Sequence, residues 1–210
     1  MISPYKYLPW FGSVRQWHWV SSALCLVGML LFAITGITLN HAGQIEAKPE
    51  TRSVTQTVPA DALEPARAHV ANEGFAEETE LPPALKRWLA EQADVHVGER
   101  LAQWSEYDLY VSMPRPGGDA WLSVDLESGE LVYDSTHRGS IAYLNDLHKG
   151  RNTGTVWMWF IDAFSVACIV FCITGLILLH RHSKARPSTW PLVGLGLVIP
   201  VLLALLFIHA

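Results

Sequence analysis

A ten-residue pattern that ends on a histidine occurs twice in this 210-residue chain. Residues 32–41 and 171–180 each lie at the end of a long apolar segment, carry Ile-Thr-Gly in the middle, and finish on His41 and His180 respectively. Imidazole nitrogens are common metal ligands and proton carriers. The repeated histidines are therefore the first candidates for chemistry.

Each repeated histidine has a candidate partner from the other apolar segment. If the two segments cross a membrane in opposite directions, His41 lies at the outer face near His148, and His180 lies at the inner face near His18. Two imidazoles that face each other across a helix pair match bis-histidine ligation of haem, so two b-type haems are predicted. His182 is an alternative inner ligand, at a different angle from His180.

Other residues near the histidines fit a haem site. Gly36 and Gly175 each precede a repeated histidine by five residues and could admit a flat ring. Basic side chains that could neutralise haem propionates are Arg15, Lys149 and Arg151. Asp162 is the single acidic residue within an apolar segment, where it could orient a ligand histidine, relay protons or join helices by a polar contact.

Simpler interpretations compete with ligation. A histidine at a helix end can be an interfacial residue, and the middle histidines His69, His96 and His137 are expected on a solvated surface. Thr35 and Thr174 are expected to hydrogen-bond back to their own helices. The cysteines all fall in apolar segments, where packing is the simpler role: Cys25, Cys168 and Cys172. Zinc fits less well, because structural zinc sites use four N or S ligands.

Three apolar segments must position these side chains. Residues 17–39, 155–179 and 191–208 are each close to the ~20 residues that a spanning helix needs. Half of the chain is hydrophobic. We therefore predict an α-helical membrane protein with three transmembrane helices, the first of which is retained rather than cleaved as a signal peptide.

Charge predicts the orientation of the chain in the membrane. Residues 42–147 contain nineteen acidic and eight basic residues, a net charge of −11, whereas the rest of the chain carries +6. Basic residues favour the cytoplasmic side. We predict an inner-membrane protein with a cytoplasmic N-terminus, a periplasmic middle segment and a periplasmic C-terminus. The acidic surface argues against nucleic-acid binding.

The middle segment predicts a small α+β domain inserted between transmembrane helices 1 and 2. Helical patterns begin near residues 59–64 and 82–89, and strands are expected at 107–113, 121–126 and 131–133. The predicted division is 1–41 for the N-terminus and first helix, 42–147 for the periplasmic domain, 148–182 for the second helix and 183–210 for the third. The sequence contains no flavin, nucleotide or nucleophile motif.

Several of these residues resemble the PepSY-associated transmembrane-helix proteins of bacterial inner membranes. The matching positions are Arg15 with His18, Thr35-Gly36 with Asn40-His41, residues 147–151, Trp159 with Asp162, and Thr174-Gly175. The middle domain resembles a PepSY-type module in residues 121–133. The resemblance implies b-type haem held by membrane histidines, which map onto His18, His41, His148 and His180, and an activity like that of ferric-siderophore reductases.

These observations lead to one functional expectation and one rival. We expect an electron-transfer protein, and a candidate oxidoreductase, that takes electrons from a flavoprotein or quinol donor and reduces ferric iron, a ferric siderophore or a periplasmic redox partner. The ferric-siderophore reductases that it resembles have more membrane helices than the three predicted here. The protein could therefore act as a homodimer or within a larger complex. The rival is a haem-free PepSY-type module that binds or regulates a periplasmic protein.

Overall fold

The computed structural model describes residues 12–46, 48–74 and 78–208. The predicted cytoplasmic N-terminal segment falls mainly on residues 1–11, which lie outside these ranges. The chain forms two compact units. The helical unit comprises the described parts of 1–31 and 159–210, and the sheet unit comprises those of 32–158.

Among the described residues, three helices are long and apolar enough to cross a membrane: α1 (Val14–Asn40), α5 (Gly154–His182) and α6 (Thr189–Phe207). They coincide with the three apolar segments of the sequence. Most of their side chains are exposed within the protein, as expected for helices whose surroundings are lipid. A short 3₁₀ turn (Ser183–Ala185) separates α5 from the start of α6. The chain is therefore a membrane protein with helices suited to a lipid bilayer.

In the part of the chain that the structure describes, the helices suited to span a membrane are the first, fifth and sixth, because the inserted domain contributes three helices of its own. The elements of that domain are β1 (Glu50–Thr57), α2 (Ala60–Glu73), β2 (Thr79–Glu80), α3 (Pro83–Gln92), β3 (Leu101–Trp104), β4 (Asp108–Ser112), β5 (Gly118–Asp125), β6 (Glu130–His137) and α4 (Ser140–Lys149). The strands predicted at 107–113, 121–126 and 131–133 are confirmed as β4, β5 and β6. Strands β1, β2 and β3 were not predicted.

The strands form one antiparallel sheet in the order β1-β6-β5-β4-β3-β2. Alternate residues of β4, β5 and β6 are buried, which is the pattern of strands with one face on a core. Leu109, Leu122 and Leu131 are fully buried there. Leu85 and Leu89 of α3 join the same core, so the helices of the domain cover the apolar face of the sheet.

A tight turn joins β5 to β6. Both the backbone N–H and the hydroxyl of Ser128 donate to Oδ1 of Asp125, at 2.6 and 2.8 Å. These bonds favour the charged carboxylate and lower the pKa of Asp125 below its usual value. Gly129 follows with a φ of 77°, which glycine adopts without steric cost. The Asp-x-x-Ser-Gly sequence therefore fixes this hairpin.

Helix α4 is fastened to the sheet by a buried carboxylate. Oδ2 of Asp146 accepts a hydrogen bond from the backbone N–H of Gly117 at 2.8 Å and pairs with Nη2 of Arg138 at 3.3 Å. Gly117 has a φ of 68°, and a Cβ atom there would lie 2.7 Å from Cα of Tyr143. The turn between β4 and β5 therefore requires glycine, and α4 is held close to it.

Candidate functional site

His18 of α1 lies against the second copy of the repeat, on α5. Its Nδ1 is 3.0 Å from Oγ1 of Thr174. Its ring stacks on Phe171, with centroids 4.9 Å apart and an interplanar angle of 13°. A Cβ atom added at Gly175 would lie 3.3 Å from Cε1 of His18, so glycine allows this close approach. All four residues belong to the helical unit.

His148, the last but one residue of α4, lies against the first copy of the repeat in the same way. Its Nδ1 is 2.6 Å from Oγ1 of Thr35. Its ring contacts Phe32 at a centroid distance of 4.9 Å and an angle of 46°. A Cβ atom at Gly36 would lie 3.7 Å from Cε1 of His148. All four residues belong to the sheet unit.

The repeat therefore builds the same histidine seat twice. We use this name for the phenylalanine, threonine and glycine at the first, fourth and fifth positions of the repeat: Phe32, Thr35 and Gly36 in one copy, and Phe171, Thr174 and Gly175 in the other. Because a helix places residues three and four apart on one face, the three side-chain positions line up beneath one imidazole ring. The histidine comes from a different helix in each case.

The threonines determine which ring nitrogen faces away from the seat. Thr174 Oγ1 donates to its own helix, with Val170 O at 2.7 Å and Phe171 O at 3.0 Å, and Thr35 Oγ1 donates to Phe32 O at 3.1 Å. The predicted back-bonding is thus confirmed. Since each hydroxyl has one hydrogen and gives it to a carbonyl, its oxygen accepts from Nδ1–H of the histidine. Nε2 is then the nitrogen available to a ligand.

His41 and His182 also carry a hydrogen on Nδ1. Nδ1 of His41 bonds to the carbonyl oxygen of Ile37 at 3.0 Å, and Nδ1 of His182 bonds to that of Leu178 at 2.8 Å. A carbonyl can only accept, so Nδ1 carries the hydrogen in both rings. Both histidines bond four residues back along their own helix and both are exposed, which leaves Nε2 available.

A groove of about 1080 Å³ opens beside His18 in the helical unit. Its walls are mainly apolar and include Phe171, Gly175 and Leu179. Its basic residues are Arg181, Lys184 and Arg186, and its second histidine is His182. The volume is slightly above the ~300 to 1,000 Å³ typical of small-molecule sites. An amphipathic ligand with an anionic end matches this combination of surfaces.

The remaining predicted site residues make none of the contacts that define the two seats. His180 is exposed, with its ring 5.7 Å from that of Trp190. Arg15 is exposed on α1, Lys149 and Arg151 are exposed around the end of α4, and Asp162 is exposed on α5. Asp162 forms no hydrogen bond or ion pair with any described residue. The predicted pairs His18 with His180 and His41 with His148 are not in direct contact in the described structure.

Metal sites made of protein ligands alone are not built by the described residues. In residues 12–46, 48–74 and 78–208 no group of three or more His, Cys, Asp or Glu side chains could hold a metal ion. The three cysteines are free thiols, and Cys25 is buried. His96 and His137 are exposed as predicted, but His69 is half-buried, hydrogen-bonded to Thr79 and packed against Trp104. The expectation of a solvated His69 is therefore wrong.

Sequence reasoning identified Gly36 and Gly175 but missed the two phenylalanines and the threonine-to-histidine bonds. The signal was present, because Phe-x-x-Thr-Gly occurs at the same position in both repeats. The sequence pattern did not show which histidine contacts each repeat, because the distance between two helices cannot be predicted from the sequence of either helix.

Comparison with known proteins places this arrangement in a family. No curated protein and no solved structure gives a significant match. A family profile described as PepSY_TM-like matches residues 9–209, which include both histidine seats, the inserted sheet domain and the third spanning helix. This chain belongs to the PepSY_TM-like family.

Proposed function

We propose that this protein is a b-type haem protein of the bacterial inner membrane that transfers electrons to ferric iron, to a ferric siderophore or to a periplasmic redox partner. The observation that carries the proposal is the duplicated histidine seat. Both His18 and His148 are held through Nδ1 by a threonine, which leaves Nε2 of each available to a ligand. Metal-bound histidines commonly have their other ring nitrogen fixed in this manner.

The surroundings of His18 fit haem. A porphyrin is a flat apolar ring with two propionates, and the groove beside His18 combines apolar walls with the basic residues Arg181, Lys184 and Arg186. Haem needs one or two axial protein ligands rather than a cluster of three or four. The availability of Nε2 on His18 and on His148 supports ligation of this kind.

When bound, haem supplies one-electron chemistry. The imidazoles of His18 and His148 would hold haem, and beside His18 the apolar walls of the groove would receive the ring while Arg181, Lys184 and Arg186 would neutralise the propionates. Thr174 and Thr35 prevent rotation of the imidazoles, and the phenylalanines support the flat sides of the imidazole rings. The charge distribution of the sequence supports a cytoplasmic N-terminus, so we propose a cytoplasmic or membrane donor, such as a flavoprotein or quinol, and a periplasmic acceptor.

The first test is the spectrum of the full chain, purified in detergent after expression with ample haem. We expect reduced-minus-oxidised bands of low-spin b-type haem and two haems per chain. The His18→Ala/His148→Ala double variant should lose these bands but keep the helical circular dichroism of the wild type. A wild-type protein that lacks the bands contradicts the proposal and favours a haem-free module that regulates a periplasmic partner.

The second test addresses the acceptor. The dithionite-reduced protein, freed of excess reductant under anaerobic conditions, is mixed with a ferric siderophore, with ferric citrate, or with the gallium form of the same siderophore as a redox-inactive control. We expect rapid reoxidation by the ferric compounds alone. If neither ferric compound reoxidises the haem faster than the gallium control, iron is not the acceptor, and a protein redox partner becomes the remaining candidate.

A further inference from the structure

We infer that the axial partner of His18 is His182, two residues beyond the histidine that ends the repeat. The inference rests on the proposed haem function and specifies which side chains would form that site. His180 aligns with His41 in the sequence repeat, so the repeat alone favours His180. The structure favours His182 for three reasons.

The first reason is the helical face. His182 follows Gly175 by seven residues, which is about 20° short of two full turns, whereas His180 follows it by five and is turned about 140° away. His182 is therefore on the face of α5 that carries Gly175 and contacts His18 of α1, and His180 is not. Side chains on a helix lean toward its N-terminus, so the ring of His182 points back toward Gly175.

The second reason is the groove itself. His18 and His182 both line it, together with Phe171 and Gly175, whereas His180 is not among its lining residues. The ring of His180 instead lies edge-on to Trp190 at 5.7 Å. A ligand in the groove has access to the two imidazoles that line it.

The third reason is the ring orientation. The bond from Nδ1 of His182 to Leu178 O, at 2.8 Å, fixes the imidazole over the preceding turn and leaves Nε2 free. His18 is fixed in the same tautomer by Thr174. The two rings that line the groove therefore both offer Nε2. The basic residues beside them indicate that the propionates would be bound by Arg181, Lys184 and Arg186 rather than by Arg15, which does not line the groove.

The test compares two neighbouring histidines in the full chain. Haem per protein is measured by the pyridine haemochrome assay for the wild type and for the variants His182→Ala, His180→Ala, His18→Ala and His18→Ala/His182→Ala. We expect His182→Ala to lose the same single haem as His18→Ala, and the double variant to lose nothing more. The matched control His180→Ala should retain the haem content of the wild type.

The outcomes separate the inference from the function on which it rests. Absence of haem from the wild type overturns both. Haem in the wild type with loss in His180→Ala, or with full retention in His182→Ala, overturns the assignment of His182 and leaves the haem function standing.

A second substitution covers the case in which the His182→Ala variant does not fold. His182→Met retains a ligand and should raise the reduction potential of one haem, because Met/His ligation gives higher potentials. His180→Met should leave both potentials at their wild-type values. A shift in His180→Met, or none in a folded His182→Met variant, overturns the assignment.

Discussion

The two histidine seats contain the same three residue types, but they are supported differently. In the helical unit, Thr174 is buried at 8% exposure and the imidazole of His18 is nearly parallel to its phenylalanine. In the sheet unit, Thr35 is half-buried and the ring of His148 is tilted by 46°. The helical unit thus holds its histidine in the more enclosed and more regular seat.

In the sheet unit, His148 is held by a helix of the inserted domain. His148 is the last but one residue of the short helix α4, in which Asn145 and Asp146 are buried. Asn145 accepts a hydrogen bond from Thr38, and Asp146 is bonded to Gly117 and Arg138. The indole nitrogen of Trp157 donates to Leu147 O beside it. His148 is therefore positioned by the inserted domain, whereas His18 is positioned by contacts between spanning helices.

The units also differ in where a second histidine lies relative to each seat. In the helical unit His182 shares the helical face of Gly175 and lines the groove with His18. In the sheet unit His41 follows Gly36 by five residues, about 140° around the helix. The repeat therefore duplicates the seat but not its surroundings, so the two seats should respond differently to the same change.

The largest effects are expected from removal of the histidines in the sheet unit. The sequence predicts that His41 and His148 ligate one haem, so His41→Ala and His148→Ala should each lose the same haem and retain the one bound by His18. Haem stoichiometry and redox titration measure this. If His148→Ala loses the haem and His41→Ala keeps it, the His148 site takes its second ligand elsewhere, and the difference between the sites is larger than proposed.

The next effect tests the threonines. Thr174→Val and Thr35→Val keep the side-chain shape but remove the oxygen that fixes Nδ1, and loss of such a partner typically lowers metal affinity by about 10- to 100-fold. The affinity for haem is measured by its transfer to apomyoglobin. Thr174→Ser and Thr35→Ser retain the oxygen and should behave like the wild type. Equal haem affinity in the valine and serine variants would show that the threonines do not position the histidines.

A third prediction tests whether the inserted domain supports His148 but not His18. Asp146→Ala removes the buried partner of Gly117 and Arg138, which should lower the free energy of unfolding of the inserted domain by about 1 to 3 kcal/mol. It should weaken the haem at His148 and leave the haem at His18 unaffected. Glu91→Ala, an exposed carboxylate on α3, is the matched control. Urea titration followed by circular dichroism and haem absorbance checks both parts, and equal loss of the two haems would contradict the comparison.

Much of the fold follows from the sequence for direct physical reasons. Long apolar runs predict spanning helices because the bilayer demands about 20 apolar residues. The strands β4 to β6 were predictable because each alternates buried and exposed positions. Strand β1 was missed because only Val54 among its eight residues is strongly apolar. It pairs along its full length with β6, so its position depends on a partner 80 residues away in the sequence.

The candidate site was predictable only in part. The histidines and glycines were identifiable by their repetition, and the back-bonding of Thr35 and Thr174 was expected from their place within a helix. The hydroxyl oxygens of Thr35 and Thr174 also accept hydrogen bonds from His148 and His18. These bonds could not be predicted, because they depend on the distance between two helices. The choice between His180 and His182 depends on which of them shares the face of α5 that carries Gly175. That face matters because Gly175 contacts His18, which the sequence did not show.

The smallest expected effect concerns the glycines of the seats. A Cβ atom at Gly175 would lie 3.3 Å from His18, so the ring must shift by a few tenths of an ångström, whereas at Gly36 the distance to His148 is an ordinary 3.7 Å. Gly175→Ala should therefore cost on the order of 1 kcal/mol of haem binding, about fivefold in affinity, while Gly36→Ala should change it little.

Gly196→Ala is the matched control for the glycine pair, because a Cβ atom on that part of α6 meets no neighbour. The apomyoglobin transfer assay measures all three variants. If Gly36→Ala lost more haem affinity than Gly175→Ala, the seat of His148 would be the more tightly enclosed of the two. It would mean that His148, despite its tilted ring, has less freedom to move than His18, and that the inserted domain holds its histidine more rigidly than the spanning helices hold theirs.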